Sequence, residues 1–431
     1  MPKRFFYGWV MLATLWLVMF LNLGFPAYGP AVINPAMAKA LGFPRETLGS
    51  IFSVYMIMSG LPGPLVAMSV NHFGVRKTLL LGSMLTIVGA LLMATLVTSG
   101  LGAMLCHGLL VGAGVATGGA MASQAGLARW FVRRRSLALS VMYSAGAIGG
   151  FAAAPLLSRL IQATGNWRAG WWTIAALSAA AACIALVLVR ERPEDVGQAA
   201  DAFGPPAAAG QPAQDTRPPF MSRREWTFAE AVRHPAYWIL LGSLIGGSGG
   251  YTLFLAHGVV HLQDLGHSVG TAAWAVGIAT ITGLIGKVIL AVFGDRVDPR
   301  YIYALFIGTF GVGLVVIVNA HALWQVFLFA TCIGIGFGGG VVCLMAVLSN
   351  YFGTRAFASL AGVAIAINTT LSAIAPKVAG RLFDQGIGYG INFYFLAAWC
   401  FVGAVVLFFM RRPGDDVNST AAQVVAGAAP G

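Results

Sequence analysis

Acidic side chains are scarce and badly placed for buried chemistry. Only 14 of 431 residues are Asp or Glu, and each falls in a stretch that reads as a loop, a segment end or a tail. A carboxylate at mid-membrane is thereby excluded as a proton carrier. Charge of either sign is rare, at 9% of the chain against roughly 25% in an average soluble domain, so an ordinary soluble fold is excluded too. The five cysteines stand singly in apolar stretches, with no CxxC pair, which leaves no disulfide framework and no zinc ribbon. The +12 net charge comes in short clusters without the aromatic-interleaved basic patch of a nucleic-acid binder. The glycine-rich run from Gly112 lies inside an apolar segment and follows no strand, so it is not a nucleotide loop. His257 and His261, four apart at the far end of their segment with Asp264 and His267 nearby, are the one weak metal-like group. That leaves an integral membrane enzyme poorly supported and implies no cofactor.

Apolar residues dominate instead, at 58% of the chain. About 20 of them are needed to cross a bilayer as a helix. On that basis spans fall at 8–33, 48–70, 78–99, 101–128, 137–160, 168–189, 236–260, 269–293, 301–319, 322–350, 356–378 and 390–410. Lys3 and Arg4 precede the first, which is too long for a signal peptide and reads as an uncleaved helix. The expected fold is all-α, with twelve transmembrane helices in two six-helix pseudo-repeat halves.

The repeat is visible in the residues. Gly112 pairs with Gly334, Trp130 with Tyr351, Arg135 with Arg355, Pro155 with Pro376 and Arg159 with Arg381, at offsets of 220–222 residues. Two parallel repeats are a common build for secondary transporters with a central site. Residues 1–190 form the expected N-terminal half and 233–412 the C-terminal half. Between them, 191–232 turns rich in Pro, Ala, Gly and charge and reads as a flexible cytoplasmic linker, and 413–431 reads as a disordered tail. Basic clusters at Lys3/Arg4, Arg76/Lys77, Arg129 with Arg133 to Arg135, 190–233, Arg296/Arg300, Arg355 and Arg411/Arg412 share one side of this layout. The positive-inside rule then puts both termini in the cytoplasm of a plasma (inner) membrane.

Lys287 breaks the pattern. It is the only charge within 269–293, and a charge at that depth normally faces a protein interior or a water-filled cavity. With no carboxylate available in the membrane, the expected counter-ion is the substrate, which points to an anion carrier. The bland alternative is a lysine that snorkels to the interface. Its stem, about 6 Å long, falls short of the headgroups from that depth.

Local motifs resemble the major facilitator superfamily. Gly286 to Arg296, ending Gly294-Asp295-Arg296, looks like its loop motif after span 8, with Asp295 as the acidic anchor. The matching loop after span 2 runs Asn71 to Lys77 through Arg76, with Asn71 where the Asp is usual, which implies a weaker charge latch in the N-terminal half. The span 4–5 junction, Trp130-Phe131 to Ala145-Gly146, resembles the monocarboxylate transporter branch, with Ser140 in place of Gly. Arg192-Pro193-Glu194 and Phe228 to Trp238 are similar to bacterial members, and oxalate:formate antiporters are close relatives of the branch. In that branch an arginine on span 8, eight residues before the loop Asp, contacts the substrate carboxylate. Here that position is Lys287, which keeps the charge without the bidentate fork.

The resemblance implies a proton symporter or exchanger of small organic anions, above all monocarboxylates, working as a monomer in the lipid bilayer by alternating access. A proton would travel on Lys287, a histidine or the substrate. Spans 1, 4, 7 and 10 line the pathway in this superfamily, with 5, 8 and 11 contributing. That makes Asn22, Tyr28, Thr117, Tyr143, Ser248, Tyr251 and Asn368 to Thr370 the polar candidates for substrate contact, against the plainer role of helix–helix hydrogen bonding. His257 is the candidate outer gate or proton-sensing group. A non-transporting anion sensor of the same fold is the rival reading.

Overall fold

The computed structural model describes residues 6–131, 134–200, 222, 226–294, 296–353 and 355–413. Asp295, most of the expected linker and the tail after residue 413 lie outside them. The described chain is helical. Eleven helices are long and apolar enough to cross a membrane, and a bent pair, Arg45–Gly60 with Gly63–Phe73, makes the twelfth. In order the spans are Gly8–Leu41, that pair, Val75–Thr95, Gly100–Trp130, Leu137–Thr164, Arg168–Leu188, Pro235–Asp264, Val269–Phe293, Pro299–Val318, Leu323–Phe352, Ser359–Asp384 and Gly390–Phe409. The chain is a multi-pass membrane protein.

Twelve crossings put the termini and the 190–233 connection on one side, the terminal side; the other is the far side. Spans 1 and 7 run further to the far side than their apolar stretches indicate. Span 1 continues through Pro30 and Pro35 to Leu41 and stops where Gly42 takes a left-handed φ of 69°. Span 2 bends by 44° just before Pro62 and Pro64, where the ring of a proline removes a helix N–H and crowds the preceding turn.

Three spans contain widened π-helical stretches: Phe20–Gly24 in span 1, Met104–Val111 in span 4 and Phe254–Gly258 in span 7. Pro26 explains the first, since it has no N–H to offer the carbonyl of residue 22. Each stretch encloses one buried polar side chain, namely Asn22, His107 or His257. Such stretches are rare and frequently sit at functional sites.

Packing between the halves is uneven. One core runs from the far part of the N-terminal half (Ile33, Phe52, Trp171) through the whole C-terminal half (Tyr237, Phe310, Phe352). The terminal part of the N-terminal half has its own core around Met11, Leu79, Trp130 and Phe131. Span 2 before its bend lies along the far end of span 11, Ile374–Asp384, and span 5 crosses span 8. The two halves are joined at the far side.

Candidate functional site

The roof of the site is where spans 5 and 8 cross. Gly150 is small enough to let them meet: a Cβ there would lie 2.8 Å from Thr280 Cγ2 and 2.7 Å from the Tyr28 ring. Tyr28, from span 1, and Tyr251, from span 7, lie close together, so that one phenol from each half closes the roof. Tyr251 stacks flat on Phe337 of span 10, centroids 4.0 Å apart and planes 7° apart. One turn away Asn368 Nδ2 donates to Ser248 Oγ at 3.0 Å, linking span 11 to span 7.

Lys287 and Tyr143 lie below that roof. Lys287 is seven residues after Thr280 (287 − 280), and Tyr143 is seven before Gly150 (150 − 143). Seven residues turn an α-helix through about 700°, within about 20° of the same face, and advance it about 10 Å. The crossing faces of spans 8 and 5 therefore carry Lys287 and Tyr143 two turns nearer the terminal side. Lys287 is half-buried and has no ion pair or hydrogen bond among the described residues. Tyr143 is 36% exposed and its hydroxyl donates to Gln124 Oε1 of span 4 at 3.1 Å. Helix geometry thus puts Lys287 and Tyr143 on the crossing faces below Tyr28 and Tyr251, with Asn368 and Ser248 nearby.

Two candidates lie apart from that lining. Asn22 is fully buried and donates to Ser83 Oγ of span 3 at 2.8 Å. Thr117 is spent on its own helix, donating to the Ala113 carbonyl at 2.8 Å. Polar groups in membranes commonly serve as such helix–helix or intrahelical links.

The far side is closed by contacts that cross between halves. Arg45 at the start of span 2 pairs with Asp264 at the end of span 7, 3.2 Å apart. The Asp384 carboxylate, from the end of span 11, accepts the backbone N–H groups of Arg45 at 3.0 Å and Glu46 at 2.8 Å. Gly49 faces the Pro376 carbonyl and Gly380 faces the Arg45 carbonyl; a side chain at either would strike backbone. His257 lies behind Gly49, whose Cβ would sit 2.9 Å from its Nε2. Both its nitrogens are used. Nε2 donates to the Pro376 carbonyl at 2.9 Å, and Nδ1 accepts from Tyr389 Oη at 3.0 Å. Burial pushes the Tyr389 phenol above its ordinary value, so it keeps the proton it donates. The histidines are therefore not at a solvated mouth, since span 7 runs on to Asp264 and encloses them. His261 Nε2 donates separately to the Ile317 carbonyl at 3.0 Å, and among the described residues no group of three or more His, Cys, Asp or Glu could hold a metal.

On the terminal side each half carries its own charge cluster. Glu191, at the end of span 6, accepts from the N–H groups of Val75 and Arg76 at 3.0 and 2.8 Å and pairs with Arg129 at 2.9 Å. It supplies the carboxylate that Asn71 lacks. Arg76 enters through its backbone. In the C-terminal half Asp298, its side chain 3% exposed, pairs with Arg412 at 2.9 Å and Arg300 at 3.4 Å. It also accepts from Tyr351 Oη at 2.9 Å. Arg296 is exposed.

Sequence reasoning missed Glu191, Asp298, the Arg45–Asp384 contact and His107. For the first three the available signal was a charge at a span end; for His107 it was a lone histidine in a 31-residue span otherwise charged only at Arg129.

The Major Facilitator Superfamily model matches residues 12–268 and 250–429, two overlapping stretches that cover both halves. Monocarboxylate transporter 13 of Bos taurus is 26% identical over 405 residues, 93% of this chain and 88% of that protein. An uncharacterized MFS-type transporter, YhjX, of Escherichia coli is 23% identical over 345 residues, 78% of this chain and 79% of that one. Among solved structures, a mutant of the nucleoside transporter NupG superposes with TM-score 0.69 at 14% identity over 92% of this chain and 99% of its own. A bacterial homolog of the human lysosomal transporter Spinster, solved inward-facing and occupied, gives 0.67 at 15% identity over 93% and 96%. The chain belongs to the Major Facilitator Superfamily, and it is a transporter rather than an enzyme.

Proposed function

We propose that the protein carries small organic anions across the bacterial inner membrane by alternating access, monocarboxylates being the fitting class. The observation behind this is Lys287: a half-buried cation, unpaired among the described residues, on the face of span 8 that looks into the space between the halves. An unpaired cation in a low-dielectric cavity attracts an anion far more strongly than it would in water. One such cation suits a monoanion better than a dianion, whose second charge would be buried without compensation. Tyr28, Tyr251, Tyr143 and Asn368 supply hydrogen-bonding groups around it, with Asn22 and Thr117 as more distant support. The similarity to monocarboxylate transporters points the same way.

With the termini in the cytoplasm, as the basic clusters favour, the far-side closure is an outward closure and the site opens inward. His257, Arg45, Asp264 and Asp384 then form the outer gate, with the Asp295–Arg296 and Arg76 loops at the inner side. The carrier works as a monomer, by proton symport or anion exchange. Counterflow in proteoliposomes tests the reading: preloaded lactate or pyruvate should accelerate uptake of the labelled acid. Saturable uptake of an amine, a sugar or a dicarboxylate in preference overturns it. Tight binding without counterflow would identify a sensor.

A further inference from the structure

The far part of the N-terminal half contains a buried polar group to which the anion site assigns no task. His107 is fully buried in the π-helical stretch of span 4. Its Nδ1 accepts from Asn34 Nδ2 of span 1 at 3.1 Å, so in this neutral form the proton is on Nε2. Nε2 has no hydrogen-bond partner among the described residues, and neither have Asn34 Oδ1 and Trp171 Nε1. Unpaired buried polar atoms are uncommon, and each calls for an explanation. Three in one pocket call for a common one.

Aromatic rings surround the imidazole. Tyr55 stacks on it at 5.0 Å and 27°, Trp171 of span 6 lies at 5.1 Å and Phe52 stands edge-on at 6.2 Å. Ring faces attract a cation, most strongly where water is excluded.

We propose that His107 is a proton-binding residue of the transport cycle, with Asn34 as a partner able to serve both of its charge states; the proposal rests on the carrier reading above. In the neutral state Asn34 Nδ2 donates to Nδ1. When a proton adds to Nδ1, the Asn34 amide turns over and Oδ1, unpaired until then, accepts the new N–H. The Nε2 proton stays, and the rings of Phe52, Tyr55 and Trp171 face the imidazolium in place of a carboxylate. A loaded carrier then holds one anion and one added proton, which offsets the charge moved.

Among the described residues no charged side chain pairs with or hydrogen-bonds His107. Span 2 presents Tyr55. Span 1 presents Asn34, with Lys39 exposed beyond it. Span 3 meets this stretch at Gly89 and brings no titratable group. On span 6, Arg168 is drawn away to the Val97 carbonyl at 3.1 Å and the Trp167 ring at 4.3 Å. On span 4 itself the neighbouring titratable group is Cys106. His257 differs, because its two nitrogens already have a backbone carbonyl and a phenol as partners.

The test uses the full-length protein in proteoliposomes, with lactate and pyruvate as probes. An inward proton gradient should raise wild-type uptake. In His107→Gln, and in Asn34→Leu, that stimulation should vanish while lactate–lactate or pyruvate–pyruvate counterflow persists. Solid-state NMR of the ¹⁵N-labelled imidazoles gives a readout independent of transport. In lactate-loaded wild type, the signal missing from His107→Gln should move to its imidazolium position as the pH is lowered from about 8 into the acid range. Persistent gradient stimulation in folded His107→Gln overturns the proposal, as does a His107 that stays neutral across that range. Wild-type net uptake indifferent to a proton gradient, with counterflow intact, also overturns it and leaves the carrier reading intact. Absence of all counterflow sinks the carrier reading instead.

Discussion

The two ends of the molecule use ion pairs for different purposes. On the far side the charged contacts cross between halves: Arg45 to Asp264, and Asp384 to the start of span 2. On the terminal side they stay within a half: Glu191 with Arg129, and Asp298 with Arg300 and Arg412. In the alternating-access cycle proposed above, a contact that crosses would break as the halves rock, whereas one inside a half would persist and keep that half rigid. The crossing pair is more exposed than the Asp298 cluster, with Asp264 39% accessible against 3% for Asp298, and about as exposed as Glu191 with Arg129. Lys287 lies where the closed region gives way to the open one.

The largest expected effect is at that boundary. Lys287→Ala should insert and fold but lose carboxylate binding by about 2–5 kcal/mol, roughly 30-fold at the least, because the anion would enter the cavity unpaired. Isothermal titration in detergent reads this directly, and an unchanged affinity would falsify the site. Lys287→Arg should keep measurable transport, with altered selectivity, since a guanidinium fork replaces a point charge.

Comparable in size, but different in kind, is the loss of a pair within a half. Asp298→Ala leaves two arginines facing each other without their carboxylate and should cost about 3–5 kcal/mol of stability. Thermal unfolding followed by tryptophan fluorescence should show the drop, while the far-side distances stay as they are. A change in those distances would mean that the cluster belongs to the gate.

Asp384→Ala should do the reverse. It removes two hydrogen bonds between halves, worth about 1 kcal/mol together at an exposed position, and so shifts the balance toward a far-side-open state with little effect on unfolding. Spin labels on Leu41 and Gln385 would report longer distances. The smallest effect belongs to Asp264→Asn, because exposed pairs contribute about 0.2–1 kcal/mol. A larger shift from Asp264→Asn than from Asp384→Ala would invert this ranking.

Much of the fold was legible in the chain because the membrane imposes a length and a polarity on every span. The count of twelve and the pseudo-repeat follow from apolar runs and offsets. The N-terminal latch did not, because Asn71 signals a lost charge while Glu191, 120 residues later (191 − 71), returns it. Chain spacing carries no record of such a contact. The π-helical stretch Met104–Val111 was equally hidden, because it has no proline to announce it.

By itself the sequence determined that one cation sits within span 8 with no carboxylate at its depth, because polarity along a span is a property of the chain alone. The tertiary structure alone decided which face of span 8 meets span 5, and hence that the face carrying Lys287 is the one that crosses span 5. It also decided that His107 and His257, alike as letters in apolar helices, differ in what their nitrogens touch. The reason is geometric: a helix fixes the angle between its own side chains, but only packing against another helix fixes what each of them faces.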